Sequence, residues 1–285
     1  MINKRKIESF IGINLLRSFI IITIIFLIWF LVVIFQRGGK VLSLDFIIDY
    51  PKEAMTKGGI FPAIAGTFYL TILAVLFALP LGILASVFLS EYAKPLWLVR
   101  IIRLAINTLA SIPSIVFGLF GLAIFVIMFD FGVSIIAGAL TLAVLILPMI
   151  INTSEEAIKV VPKEFREASL ALGATKRETI LKVILPTAFP SILTGAILSI
   201  GRAAGETAPI IFTAATFYTI GLPDSLLEPC MTLPYHIYAL MTEGTHPELQ
   251  QPIAYGTSII LLLLVLFINI FAIIARYFLR RNKKW

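Results

Sequence analysis

Residues 183–223 read VILPTAFPSILTGAILSIGRAAGETAPIIFTAATFYTIGLP, and how this stretch folds decides how often the chain crosses a membrane. It holds two uncharged runs, 183–201 and 207–223, parted by Arg202 and Glu206. It is either one helix with two charges near its middle or two short spans. Five further runs lack Asp, Glu, Lys and Arg: 18–36, 58–90, 104–129, 131–154 and 249–275. A hydrocarbon core takes about 20 apolar residues to span, so most of these runs can cross one. Composition agrees. The chain has 285 residues, 59% hydrophobic and 14% charged, with a mean hydropathy of +1.01. Ordinary globular chains are about 45–50% apolar and about 25% charged, so a soluble domain is excluded.

Counting Lys and Arg by loop settles the number of spans. With six helices and both ends inside, the inner segments hold Lys4, Arg5, Lys6 and Arg17, then Lys94, Arg100 and Arg103. Lys159, Lys163, Arg166, Lys176, Arg177 and Lys182 follow, and finally Arg276, Arg280, Arg281, Lys283 and Lys284. Only Arg37, Lys40, Lys52 and Lys57 fall outside, and Arg202 within the membrane. A seventh span would move the basic C-terminus outside, against the positive-inside rule. The first run is read as a retained span because Gln36-Arg37-Gly38-Gly39-Lys40 lacks the small-x-small site of a cleaved signal. The expectation is an all-α membrane protein with six transmembrane helices, at 16–36, 62–90, 104–129, 132–152, 189–217 and 252–277. Residues 1–60 form an N-terminal segment with the first span and an outer loop, 61–280 the main membrane domain and 281–285 a basic tail. The net charge of +7 then faces the cytoplasm and anionic lipid and requires no nucleic acid. Outside, 130–131 should form a tight turn. Residues 218–251 form a long acidic loop, with a short helix around Leu233–Leu240 at the interface. The single cysteine, Cys230, excludes an intrachain disulfide.

The inner loop 155–187 reads as a projecting knob. Pro162 can open a helix, and Phe165, Ala168, Ser169 and Leu172 recur on one face. Gly173 suits a helix end at positive φ. Thr175-Lys176-Arg177-Glu178 is a capping box. A second helix carrying Ile180, Val183 and Ile184 should then stop at Pro186. Periodicity alone fits equally an amphipathic linker lying on the membrane surface.

Gly201-Arg202-Ala203-Ala204-Gly205-Glu206-Thr207-Ala208-Pro209 is the costliest stretch to place in a bilayer, since an Arg at a helix centre costs about 2.5–3.5 kcal/mol on insertion scales. Arg202 and Glu206 are four apart and share a helix face. Pro209 follows Gly205 by four, so its ring would crowd that carbonyl and loosen the helix. Two roles fit. The pair either fixes packing inside the bundle, or lines a path on which Arg202 offers a donor fork to an oxyanion while Glu206 restrains it.

Pro80, Pro113 and Pro148 fall in helices two, three and four, where kinks could serve a moving bundle, though proline is common in membrane helices anyway. Asn107, Thr108, Ser111 and Ser114 suit interhelical hydrogen bonding. His236 and His246, ten residues apart in the outer loop, make a poor zinc pair. No G-x-x-x-x-G-K-[ST] phosphate loop occurs, because Gly39-Lys40 has Ile34 where the first glycine belongs. H-E-x-x-H and G-x-S-x-G are also absent.

Glu167-Ala168-Ser169, Gly173, Val183, Leu185 and Pro186 resemble the E-A-A, G, I-x-L-P pattern of the type I ABC import permeases, with Ser169 and Val183 as departures. The string from Gly201 to Ala214 resembles the PstA family of phosphate-importer permeases. Ile112-Pro113-Ser114-Ile115-Val116-Phe117-Gly118-Leu119, Leu233-Pro234 and Leu266-Phe267-Ile268-Asn269-Ile270 do so too. The related PstC family usually lacks Thr-Ala-Pro after Gly-Glu. The likeness covers roughly 60–280. It implies the type I importer permease fold, with Glu167, Ala168, Gly173, Leu185 and Pro186 in the coupling element, Gly173 as elbow and Glu167 as polar anchor. It further implies a PstC-like second permease subunit, two ATPase subunits and an outer phosphate-binding protein. ATP and Mg would belong to the ATPase partner and no cofactor to this chain, which would not itself be an enzyme. The setting would be a bacterial or archaeal cytoplasmic membrane. Three other readings remain open: an importer of molybdate, sulfate or tungstate, a proton-coupled carrier using Glu206, and a signalling scaffold.

Overall fold

The computed structural model describes residues 2–93, 97–219 and 221–281. Lys94, Lys283 and Lys284 of the expected inner clusters, and nearly all of the tail 281–285, lie outside these residues. Twelve α-helices are described: α1 (Ile2–Gly38), α2 (Leu44–Ile48), α3 (Phe61–Val87), α4 (Trp97–Ser111), α5 (Ser114–Gly121), α6 (Ile135–Lys159), α7 (Lys163–Ala171), α8 (Lys176–Thr179), α9 (Leu185–Gly205), α10 (Ala208–Ile211), α11 (Leu233–Thr242) and α12 (Pro247–Arg281). Between α2 and α3 a two-stranded antiparallel hairpin pairs β1 (Pro51–Lys52) with β2 (Lys57–Gly58). Three π-helical segments, Phe88–Tyr92, Leu122–Met128 and Ile180–Ile184, extend α3 and α5 and join α8 to α9.

Five helical stretches are long and apolar enough to cross a membrane: Gly12–Val41, Phe61–Tyr92, Ile135–Lys159, Lys176–Gly205 and Pro247–Phe278. The chain is thus an integral membrane protein. A sixth crossing exists only if α4 and α5 count as one span, and they are bent by 103°. The third expected helix, 104–129, is therefore not continuous. Pro113 has an extended backbone (φ −57°, ψ 139°), and the residue before a proline is steered away from helical geometry. The charges on α4 supply the rest of the reason. Arg103 reaches back to the Leu89 carbonyl (3.2 Å) and pairs with Glu155 of α6 (2.8 Å). This holds α4 across the end of the bundle with Trp97, Leu98, Ile101 and Leu104 exposed. Pro80 and Pro148, by contrast, sit inside unbroken helices.

Helix α6 is the hub, its apolar positions buried on several sides. Leu70, Ala74 and Ala78 of α3 pack against Ala139, Leu142, Ile146 and Ile150 of α6, with Phe117, Ala203 and Ile210 closing the cluster. Small side chains let these helices approach closely, which is how helices associate where lipid is as apolar as leucine. A second cluster, at the end where α7 and α8 project, joins Ile158 and Val161 to Ile180, Ile184, Ala188 and Ile192. A third, at the opposite end, joins Phe46, Met55, Ile60, Met231, Leu233, Leu240 and Ile253. The expected turn at 130–131 is present, with Asp130 at φ +55° and Gly132 at φ +63°. The acidic loop after α10 then closes over α6: the carbonyls of Glu228 and Leu226 accept from the Ile135 and Ile136 amides at 2.9 and 3.0 Å. Helix α11 forms as expected, but it is sunk among α3, α9 and α12 with Leu233, Pro234, His236, Ala239 and Leu240 buried.

Candidate functional site

The fifth span ends earlier than 217. Helix α9 stops at Gly205, and Glu206 leaves it in extended conformation (φ −76°, ψ 132°). Pro209 opens no kink inside that helix. It occupies the first turn of the new helix α10, where its missing N–H costs nothing. Arg202 therefore lies in the last turn of α9 rather than near a helix centre. A cation there faces the negative end of the helix dipole, which favours it. The break is held by its surroundings. A Cβ on Gly118 of α5 would stand 3.0 Å from the Ala208 carbonyl and the Pro209 Cα, closer than most Cβ contacts, so a larger residue would push the break aside. Thr213 donates to the Pro209 carbonyl (3.0 Å), and the Thr213 carbonyl accepts from Ser134 (2.9 Å).

Arg202 Nε donates to Glu206 Oε1 at 3.4 Å, with side chains 38% and 19% exposed. Among the described residues the two terminal guanidinium nitrogens of Arg202 make no other hydrogen bond. Glu206 borders a narrow crevice with Thr67, Thr71, Ala203, Leu142 and Thr232. Thr67 and Thr71 lie six and ten residues into α3, and Leu142 seven into α6. At 1.5 Å per residue this places the pair roughly 10–15 Å below the helix ends opposite the knob. Buried Thr232 Oγ1 has no hydrogen-bond partner. Gly205, the other half of the break, has open space where a Cβ would stand. Thus Arg202, Glu206, Gly205 and Pro209 are brought together, as the sequence suggested.

The residues expected in a coupling element lie at the other end. Gly173 has φ +83°, and the capping box forms in full, with the Thr175 hydroxyl accepting from the Glu178 amide and the Glu178 carboxylate accepting in return. The Thr175 amide and hydroxyl both donate to Glu178 Oε2, at 3.0 and 2.8 Å, and Lys182 pairs with the same carboxylate. Glu167, Ala168, Leu172 and Gly173 form an exposed tip. The expected face is split: Phe165 is half-buried beneath, and Ser169 hydrogen-bonds Thr179 (2.9 Å), tying α7 to α8. Pro186 does not end a helix. The π-helical turn Ile180–Ile184 carries the chain into α9, and Pro186 falls in that helix's first turn. Leu185 is half-buried against the cluster around Ile158 and Ile184.

Asn107 accepts from Asn152 (3.3 Å), an interhelical bond, whereas Thr108 and Ser111 bond carbonyls of their own helix. His236 is deeply buried with neither ring nitrogen bonded, and burial pushes it down to about 4. His246 is exposed and meets Thr245. The sequence reading passed over Glu91, the carboxylate that ends the second apolar run. It receives Arg166 of α7 at 3.0 Å. Its one legible signal was a lone acid at the end of a span that faces a basic loop.

The family model described as binding-protein-dependent transport system inner membrane component matches residues 78–284. The chain is 38% identical over 247 residues to the probable ABC transporter permease protein YqgI of Bacillus subtilis, which covers 83% of this chain and 84% of that one. It is 30% identical to the phosphate transport system permease protein PstA 1 of Mycobacterium tuberculosis, across 99% of this chain and 91% of that one. A chain of a bacterial alginate ABC transporter, solved with an alginate pentasaccharide-bound periplasmic protein, superposes with a TM-score of 0.68 over 93% of both chains at 18% identity. That likeness concerns the fold.

Proposed function

Because this chain belongs to the family of binding-protein-dependent transport system inner membrane components, we propose that it is the permease subunit of an ATP-driven phosphate importer. It moves inorganic phosphate into the cytoplasm by alternating access. The observation that carries the anion reading is Arg202, whose terminal nitrogens stay unengaged at a break in the backbone within the bundle. Irregular backbone at that depth is tolerated where it lines protein or a watery cavity. A guanidinium with free donors in such a place suits a planar or tetrahedral oxyanion. Glu206 holds it by a single long contact, which keeps the empty site from trapping the anion. Similarity to permeases named for phosphate transport supports this oxyanion over molybdate, sulfate or tungstate.

The rest of the machine follows from the family. A second, PstC-like permease subunit completes the pathway, and an outer phosphate-binding protein delivers the substrate. Two ATPase subunits, carrying ATP and Mg, grip the exposed tip around Glu167, Ala168 and Gly173 on the cytoplasmic side. The test of the anion role is Arg202→Gln, with uptake measured beside membrane abundance. Uptake should be lost at unchanged abundance; normal uptake removes Arg202 from the substrate path. Phosphate uptake by this chain alone in liposomes, driven by a pH gradient, would replace the whole reading with a proton-coupled carrier.

A further inference from the structure

Two cations of the knob, one from each of its short helices, converge on the residues that end the second span. Arg166 of α7 donates through Nε and Nη2 to Glu91 Oε1, at 3.1 and 3.0 Å. Its remaining donors take the carbonyls of Ile158, Val161 and Pro162 where α6 gives out. Lys176 of α8 donates to the Glu91 backbone carbonyl and stands 4.5 Å from the centre of the Tyr92 ring. Glu91 and Tyr92 lie in the π-helical turn Phe88–Tyr92 that finishes α3, and π turns frequently mark functional places.

The pair is well withdrawn from water, the Arg166 and Glu91 side chains being 21% and 11% exposed. Breaking a pair by removing one partner costs far more at such burial than at a surface. Through the chain itself the knob hangs from α6 and α9 alone. The clamp adds α3, which carries Thr67 and Thr71 to the crevice beside Glu206. A displacement of the knob thus has a stiff connection to a helix that borders the far site.

We propose that Glu91 is a positioning residue for transport: it receives the knob's movement through Arg166 and passes it along α3 to the substrate path. This rests on the reading of the chain as an ATP-driven permease. The test uses the complete importer, this chain with its partner permease, ATPase subunits and binding protein, in proteoliposomes. In Glu91→Gln, which keeps the side-chain shape and removes the charge, the ATPase subunits should co-purify and hydrolysis should continue. Phosphate delivered per ATP should fall about tenfold, within the usual range of coupling between sites. Glu91→Asp should recover part of the ratio. An unchanged ratio in Glu91→Gln overturns the proposal, as does uptake that falls only in step with hydrolysis, the mark of a merely structural residue.

Should Glu91→Gln fail to insert, the pair Tyr92→Cys and Lys176→Cys, bridged with a short bis-maleimide, decides the matter. Native Cys230 is fully buried and does not compete. Bridging should leave uptake at the level of the unbridged pair, because the clamp moves as one body. Loss of uptake on bridging overturns the proposal. Phosphate uptake by the wild-type chain without any ATPase would instead sink the permease reading, and the clamp's role with it.

Discussion

Two Arg–Glu pairs of the molecule, Arg166–Glu91 and Arg202–Glu206, are built in opposite ways. Arg166 is spent: its five hydrogen bonds go to a carboxylate 75 residues away and to three carbonyls at a helix end. Arg202 is barely engaged, with one 3.4 Å contact to a carboxylate four residues on. The first arrangement fixes three helices with respect to one another. The second leaves donors idle beside a break in the backbone. A guanidinium with every donor satisfied is a fastener; one left short of partners is available to something that is not protein.

Four changes bear on that contrast, the largest first. Gly173→Pro should abolish co-purification of ATPase subunits while insertion persists. Proline is locked near φ −65° and cannot adopt the +83° of the elbow. Pull-down from detergent reads this, and retained partners would detach the knob from docking. Arg166→Ala should lower the thermal stability of the purified protein by about 3–5 kcal/mol, since it strands Glu91. A loss below about 1 kcal/mol would make the two pairs alike.

His236 is a buried polar group of another kind, with neither ring nitrogen satisfied. Its pKa falls from the ordinary 6.5 to about 4 because burial penalises the cation. The unfolded chain then binds the proton more readily. The stability this neutral ring contributes is complete above about pH 6.5 and drains away as the pH falls toward about 4, roughly 2 kcal/mol of it by pH 5. Thermal unfolding at pH 7 and pH 5 should show this slope, and His236→Phe should flatten it. An equal slope in that variant would assign the pH response elsewhere. Arg202→Ala should change stability least, by less than about 1 kcal/mol, though it should stop transport. A large stability loss there would return the pair to a packing role.

The same contrast explains what could be read from the chain in advance. The knob's elbow and capping box are local devices, written within a few residues of one another, and both form where the spacing put them. The juxtaposition of Arg202 with Glu206 was legible for the same reason. The break of α9 was only half legible. Gly205 and Pro209 marked a weak point, but the decision between a loosened helix and a stopped one lies with Gly118 and Ser134, which approach from elsewhere in the fold. The 103° bend at Pro113 could not be told apart in advance, because Pro80 and Pro148 look alike in sequence and leave their helices whole. The difference comes from Arg103 and its distant partner Glu155. Of the Glu91 clamp only the lone acid at the end of a span was legible; its partner was not, because nothing in a linear sequence sets the register of one helix end against another.

Among the described residues helix α1 meets the bundle chiefly along α12, latched where Arg37 reaches the Tyr255 hydroxyl at 3.1 Å, and it leaves Phe19, Ile20, Ile22, Phe26 and Trp29 uncovered. Among its described residues Ile34 is the buried hydrophobic side chain, and none of them joins the buried clusters. It is an outrigger. A shortened polypeptide starting near Gly39 should keep the remaining architecture intact and trade away chiefly its grip on the surrounding bilayer.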